Sequence, residues 1–159
     1  MRSLSAAALA VVLCLSARAA DVEFVRVWPG WQDVNSFKRI SEYFTNVENT
    51  SGMIIRRSQP GVRSGYYFLV RVKHPDVDLA GARFILHFIA PDSPEPQEKT
   101  FAADTPPGEQ LFDLGLTGGD WTGPHGHLVA WRLELVSADG HPLASAESFL
   151  WSKPSGNHD

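Results

Sequence analysis

The sequence predicts an all-β fold, a single antiparallel β-sandwich with one short helix near residues 36–44. Apolar and polar residues alternate with period two over many short runs, as strands with one buried face require. Proline and glycine punctuate those runs at Pro60-Gly61, Pro75, Pro91, Pro94, Pro96 and Pro106-Pro107-Gly108. Helical periodicity is confined to one place. Short strands separated by turns bury their apolar faces most simply as two packed sheets.

The chain opens on a segment of another kind. Arg2 is followed by an apolar run from Leu4 to Leu15, broken only by Ser5, and Ala17-Arg18-Ala19 puts small residues where a signal peptidase reads. Residues 1–19 are therefore expected to be a signal peptide cleaved after Ala19. The run is shorter than the about 20 residues that span a bilayer, and no later run comes close, so no transmembrane segment is expected in the mature chain. Lipidation at Cys14 is disfavoured because Leu13, before it, is not small.

Cleavage leaves 140 of the 159 residues: a β-sandwich domain over 20–152 and a polar, flexible tail over 153–159. Loss of Arg2 and Arg18 takes Lys plus Arg from 14 to 12 against 18 acids, a net charge of −6. That balance, without clustered cations, argues against nucleic acid or an anionic membrane as partner. The signal also removes Cys14, the only cysteine, and with it any thiolate metal site, cysteine nucleophile or disulfide. The expected destination is periplasmic or secreted, with a bacterial context favoured.

In chain order, Val22 to Trp28 reads as a strand, and Trp28-Pro29-Gly30-Trp31 as a turn that breaks it at Pro29. Phe37, Ile40 and Phe44, with Tyr43 beside them, recur at helical spacing, and Asn35 or Ser36 is available as a cap. Met53 to Ser58 and Gln97 to Ala102 read as strands. Tyr66, Phe68, Val70 and Val72 form one face of a further strand; Phe84, Leu86 and Phe88 form the same of another, with His87 on its outer side. Phe112, Leu114 and Leu116 form a third.

The last hairpin is the most fully specified. With Asp139-Gly140 as a two-residue turn, Leu135 meets Ala144, Leu133 meets Ala146, Trp131 meets Ser148 and Val129 meets Leu150. The other face sets Glu134 against Ser145 and Arg132 against Glu147, an opposite-charge pair that favours this register. The second strand would run from His141 to Trp151, with Trp131 buried. This hairpin resembles the last two strands of immunoglobulin-like or fibronectin-type-III-like domains, which implies that sandwich architecture and no particular activity.

Chemistry is sparse. The loop from Gly118 to His127 holds His125 and His127 two residues apart, and with His141 brought in by folding they form the candidate metal set. The same loop offers Asp120 and Trp121; with Trp28 and Trp31 these are the candidate ligand-binding residues, since exposed rings beside hydrogen-bonding groups hold sugars. The plainer alternative is that Trp28 and Trp31 anchor the first strand and that Trp121 plugs the end of the sandwich. Glu95 and Glu98 lie in a proline-rich stretch that offers no burial to raise a pKa. No catalytic residue and no cofactor is implied: there is no nucleophile elbow, phosphate loop or calcium loop. The expected function is a non-catalytic, exported binding or assembly module for a protein partner, with Tyr66, Tyr67 and Trp151 as contact candidates. A carbohydrate or small-ligand binding sandwich is the first alternative, and a metal-dependent enzyme the second.

Overall fold

The structure, a computed structural model, describes residues 21–121, 123 and 126–152. Its strands are β1 (Glu23–Gln32), β2 (Ile54–Arg57), β3 (Gly65–His74), β4 (Arg83–Ile89), β5 (Gln97–Ala102), β6 (Gly108–Thr117), β7 (Ala130–Val136) and β8 (Pro142–Glu147). One sheet runs β1-β3-β6-β2 and the other β5-β4-β7-β8. Pairing is antiparallel except between β2 and β6, which are parallel. The all-β expectation holds. The expected signal peptide, residues 1–19, and the expected tail from 153 lie outside the described residues.

Alternation places the core between the sheets. Phe68, Val70 and Val72 of β3 and Phe112, Leu114 and Leu116 of β6 face Phe84, Leu86 and Phe88 of β4 and Leu133 and Leu135 of β7, all fully buried. Each such side chain stabilises by about 1.5–3 kcal/mol. Phe84 meets Phe112 edge to face at 4.9 Å across the layers, and Phe68 meets Trp131 at 5.3 Å. Trp131 itself is only half-buried, because it lies at the border of this core rather than in it.

Four elements differ from the sequence reading. β1 continues through Pro29, which pairs with Phe68, to Gln32. It is an edge strand, and only every other N–H of such a strand is needed by its neighbour, so proline fits. The helix near 36–44 is two single turns, α1 (Val34–Phe37) and α2 (Glu42–Thr45), capped at Asp33 rather than Asn35 or Ser36. Of its apolar stripe only Phe37 is buried. The final hairpin has the expected partners from Arg132–Glu147 to Leu135–Ala144. Its turn, however, is a three-residue loop, with Gly140 at φ 85° and the Ser137 N–H bonded to the His141 carbonyl at 2.9 Å. The longer loop slips the register by one, and the extra residue Leu143 slips it back. Finally, β8 stops at Glu147 and Phe149–Ser152 form a helical turn, α3, so Val129 and Leu150 do not pair.

Sheet order dictates the path of residues 33–53. β1 and β2 lie at opposite edges of one sheet, separated by β3 and β6. Three inter-strand spacings amount to about 14 Å. The segment therefore crosses the outer face of that sheet as a strap.

Candidate functional site: a clamped strap with an exposed apolar tip

The strap is fixed at both ends and underneath. The Asp33 carboxylate accepts from the N–H groups of Asn35 (2.7 Å) and Ser36 (3.1 Å), starting α1. Phe37 then buries its ring against Tyr67 at 4.8 Å, on the outward side of β3. Arg57, from β2, sets its guanidinium over the Phe37 ring at 4.9 Å. It donates to both Glu48 oxygens, at 2.9 and 2.5 Å, and through Nε to the Tyr67 hydroxyl at 2.8 Å. That hydroxyl in turn donates to the Arg63 carbonyl at 2.6 Å. Arg63 holds Glu42 at 2.8 Å, and Glu42 accepts from the Arg39 and Asn49 N–H groups.

These contacts set the electrostatics. The hydrogen bond from Arg57 keeps the Glu48 carboxyl below its usual range against the opposing effect of burial. Burial pushes the Tyr67 phenol up, so it stays a neutral donor. Tyr67 has room only because Gly115 of β6 lies beneath it, where a Cβ would overlap its ring.

The clamp holds the strap's polar side down and leaves its apolar side out. Ile40 is 79% exposed, Tyr43 77%, Phe44 85% and Val47 67%. Lys38 and Arg39 flank this tip, exposed and without an ion pair among the described residues. Four large apolar side chains thus face solvent within eight residues, on a segment whose acids are already engaged. Soluble domains rarely maintain such a patch without a use for it.

Beside the strap lies a buried carboxyl. Asp113 of β6 is 1% exposed, on the face away from the main core, and among the described residues it accepts from Gln32 Nε2, at 3.3 Å to each oxygen. Burial pushes its pKa up to about 6, with Gln32 and Arg57 opposing the rise.

The ligand candidates divide. Trp28 projects from the outer face of β1 with the Arg26 guanidinium over its ring at 4.3 Å. Trp31, three residues on, packs against the core opposite Tyr66. Trp121 is 7% exposed and lies against Tyr66 at 4.8 Å, closing one end of the sandwich. Asp120 bonds Lys99 at 2.7 Å; burial opposes its ionisation, but Lys99, Ser58 and Gln59 together hold its carboxyl below the usual range. Asp120 and Trp121 do line one cleft of about 290 Å³ with Pro91, Asp92, Gln97 and Gly119. Trp28 is no part of it.

Two of the three candidate histidines can be placed, and they lie apart. His127 sits edge-on to Tyr66 at this end, while His141 belongs to the β7–β8 turn at the other. His125 lies outside the described residues. Among the described residues no three His, Cys, Asp or Glu side chains form a metal-binding group. Tyr66 and Tyr67, expected as contacts, are both buried.

The outer face of the second sheet carries its own cluster. His87 lies between Glu98 (3.5 Å) and Glu134 (3.3 Å). Arg132 pairs with Glu134 at 2.7 Å rather than with Glu147 across the hairpin, because the shorter reach along its own strand wins. Trp151 covers His87 at 6.1 Å. The α3 turn leaves Phe149 80% and Leu150 54% exposed.

No protein-family model, curated protein or solved structure matches this chain. The tip was missed in the sequence because Ile40, Tyr43 and Phe44 read as the buried stripe of a helix. The one available signal was that so short a helix carried more apolar residues than a single face can bury.

Proposed function

We propose that this chain is a non-catalytic, exported binding or assembly module whose docking surface is the tip Ile40–Val47. The observation that carries this reading is the combination of clamp and exposure. Arg57–Glu48, Arg63–Glu42 and buried Phe37 hold the segment in place, so Tyr43 and Phe44 are offered with little ordering left to lose on binding. Export to the periplasm or outside the cell rests on the leader at residues 1–19. The scaffold itself reads as immunoglobulin- or fibronectin-III-like. With β2 set aside, one sheet holds the first, second and fifth strands of the chain, and the other the fourth, third, sixth and seventh. On this reading β2 and the strap are an insertion between the first two strands.

A photo-crosslinking side chain at Tyr43 tests the docking role in an extract of the native exported proteins, with the same group at Ala138 in the distant turn as control. Discrete adducts from position 43, lost when Phe44→Asp is added, are expected. Equal labelling from both positions would remove the reading.

The cleft at Trp121 supports a second reading, a small-ligand or glycan site. Its polar lining from Asp92, Gln97 and Asp120 suits hydroxyl groups. One face of the Trp121 ring is already taken by Tyr66, which limits stacking. Tryptophan fluorescence that stays unchanged across a sugar panel would eliminate it.

A further inference from the structure

We infer that the occupant of the tip is the α3 turn of a second copy of this chain, the two joined head to tail. The inference rests on the tip being a docking surface. Among the described residues, the most exposed large apolar side chains gather at the tip and at the α3 turn, and charges of opposite sign border the two. Ile40, Tyr43, Phe44 and Val47 are bordered by Lys38 and Arg39, which have no acid partner among the described residues. Phe149 and Leu150 are bordered by Glu147, exposed and bypassed by Arg132, and through Trp151 and His87 by half-exposed Glu98.

The patches also lie on opposite outer faces. The strap packs on Tyr67, on the side of β3 away from Tyr66 and Phe68. Trp151 packs on His87, on the side of β4 away from Leu86 and Phe88. One copy can therefore use both patches at once. Pairing tip with tip would set Lys38 and Arg39 against their own images, whereas tip against turn matches charge and apolar surface together. Such a contact is heterologous, so copies add until a ring closes or the string ends.

The test is sedimentation of the mature chain, residues 20–159, over a wide concentration range, with Phe44→Asp, Phe149→Asp and an equimolar mixture of the two. Both positions are exposed, so the fold is expected to survive, and circular dichroism checks it. Wild type should exceed a dimer as concentration rises. Each variant alone should stay monomeric. The mixture should form a dimer and stop, since one intact tip meets one intact turn while the two aspartates repel. A Phe149→Asp protein that still dimerises would overturn the inference in favour of tip-on-tip pairing and leave the docking role standing. A monomeric wild type whose Tyr43 probe captures another exported protein would do the same. A monomeric wild type with no adduct from position 43 would remove both.

Discussion

Asp113 is where a single side chain says most about the cost of this design. Its pKa rises from the ordinary 3.8 to about 6, so the folded chain holds this proton more tightly than the unfolded chain does. Its contribution to stability is therefore complete below about pH 4 and is lost as pH rises through 6. The full shift corresponds to on the order of 2–3 kcal/mol. Asp113→Asn should match wild type at pH 4 and exceed it by about that amount at pH 8, in urea unfolding at both pH values. A variant less stable than wild type at pH 8 would show that the charge is favourable, and the burial argument would fail. Gly115→Ala should cost about 1–3 kcal/mol, because Tyr67 is held by Arg57 and Arg63 and cannot yield to a Cβ. Neither residue could be singled out from the sequence. Phe112, Leu114 and Leu116 were legible as an inward face, which puts Asp113 and Gly115 on the outward side of the strand. Only the strap makes that face an interior.

At the scale of elements, the β7–β8 register was legible because two signals agreed: alternation with large residues opposite small ones, and a glycine turn. The loop length was not, since the three-residue turn and the bulge at Leu143 cancel in every pair beyond them. Gly140, at φ 85°, should be the sensitive residue of that turn. Gly140→Ala is expected to lower stability by about 1 kcal/mol and Gly140→Asn by less, read from denaturant midpoints. The strap answers to a different control. Glu48 is held below its ordinary 4.5, so its clasp on Arg57 contributes fully above that value and is lost only as pH falls through the lowered value it has in the fold. Hydrogen exchange over residues 33–52 should accelerate in Glu48→Gln at pH 7, with β4 and β7 unaffected. Uniform acceleration across both sheets would mean that the strap is integral to the core. Pro29 was misread as a break for one reason: proline is tolerated on an edge strand, and edge status belongs to the sheet order, which period-two patterns do not encode.

For the molecule as a whole, the patterns in the chain indicated two layers and the number of strands but not their neighbours. β2, four residues long, could not announce that it would run parallel beside β6. The strap, its clamp and the exposed tip all follow from that placement, so the candidate site was the least legible part. The missing thiol is simpler. On the proposed export reading Cys14 leaves with residues 1–19, so the mature chain should melt at the same temperature with and without reductant, and a difference would mean that Cys14 is retained. One further consequence follows from the two ends of the sandwich. β1 starts beside Lys73 at one pole, and β8 finishes beside Arg132 at the other, near Trp121. A pull between those points runs along the strands. It must slide β1 past β3 and β8 past β7 with every rung strained at once, where a pull across the strands would unzip them singly. A domain held at those two points would be tough in tension along its strands even if it were only modestly stable to heat.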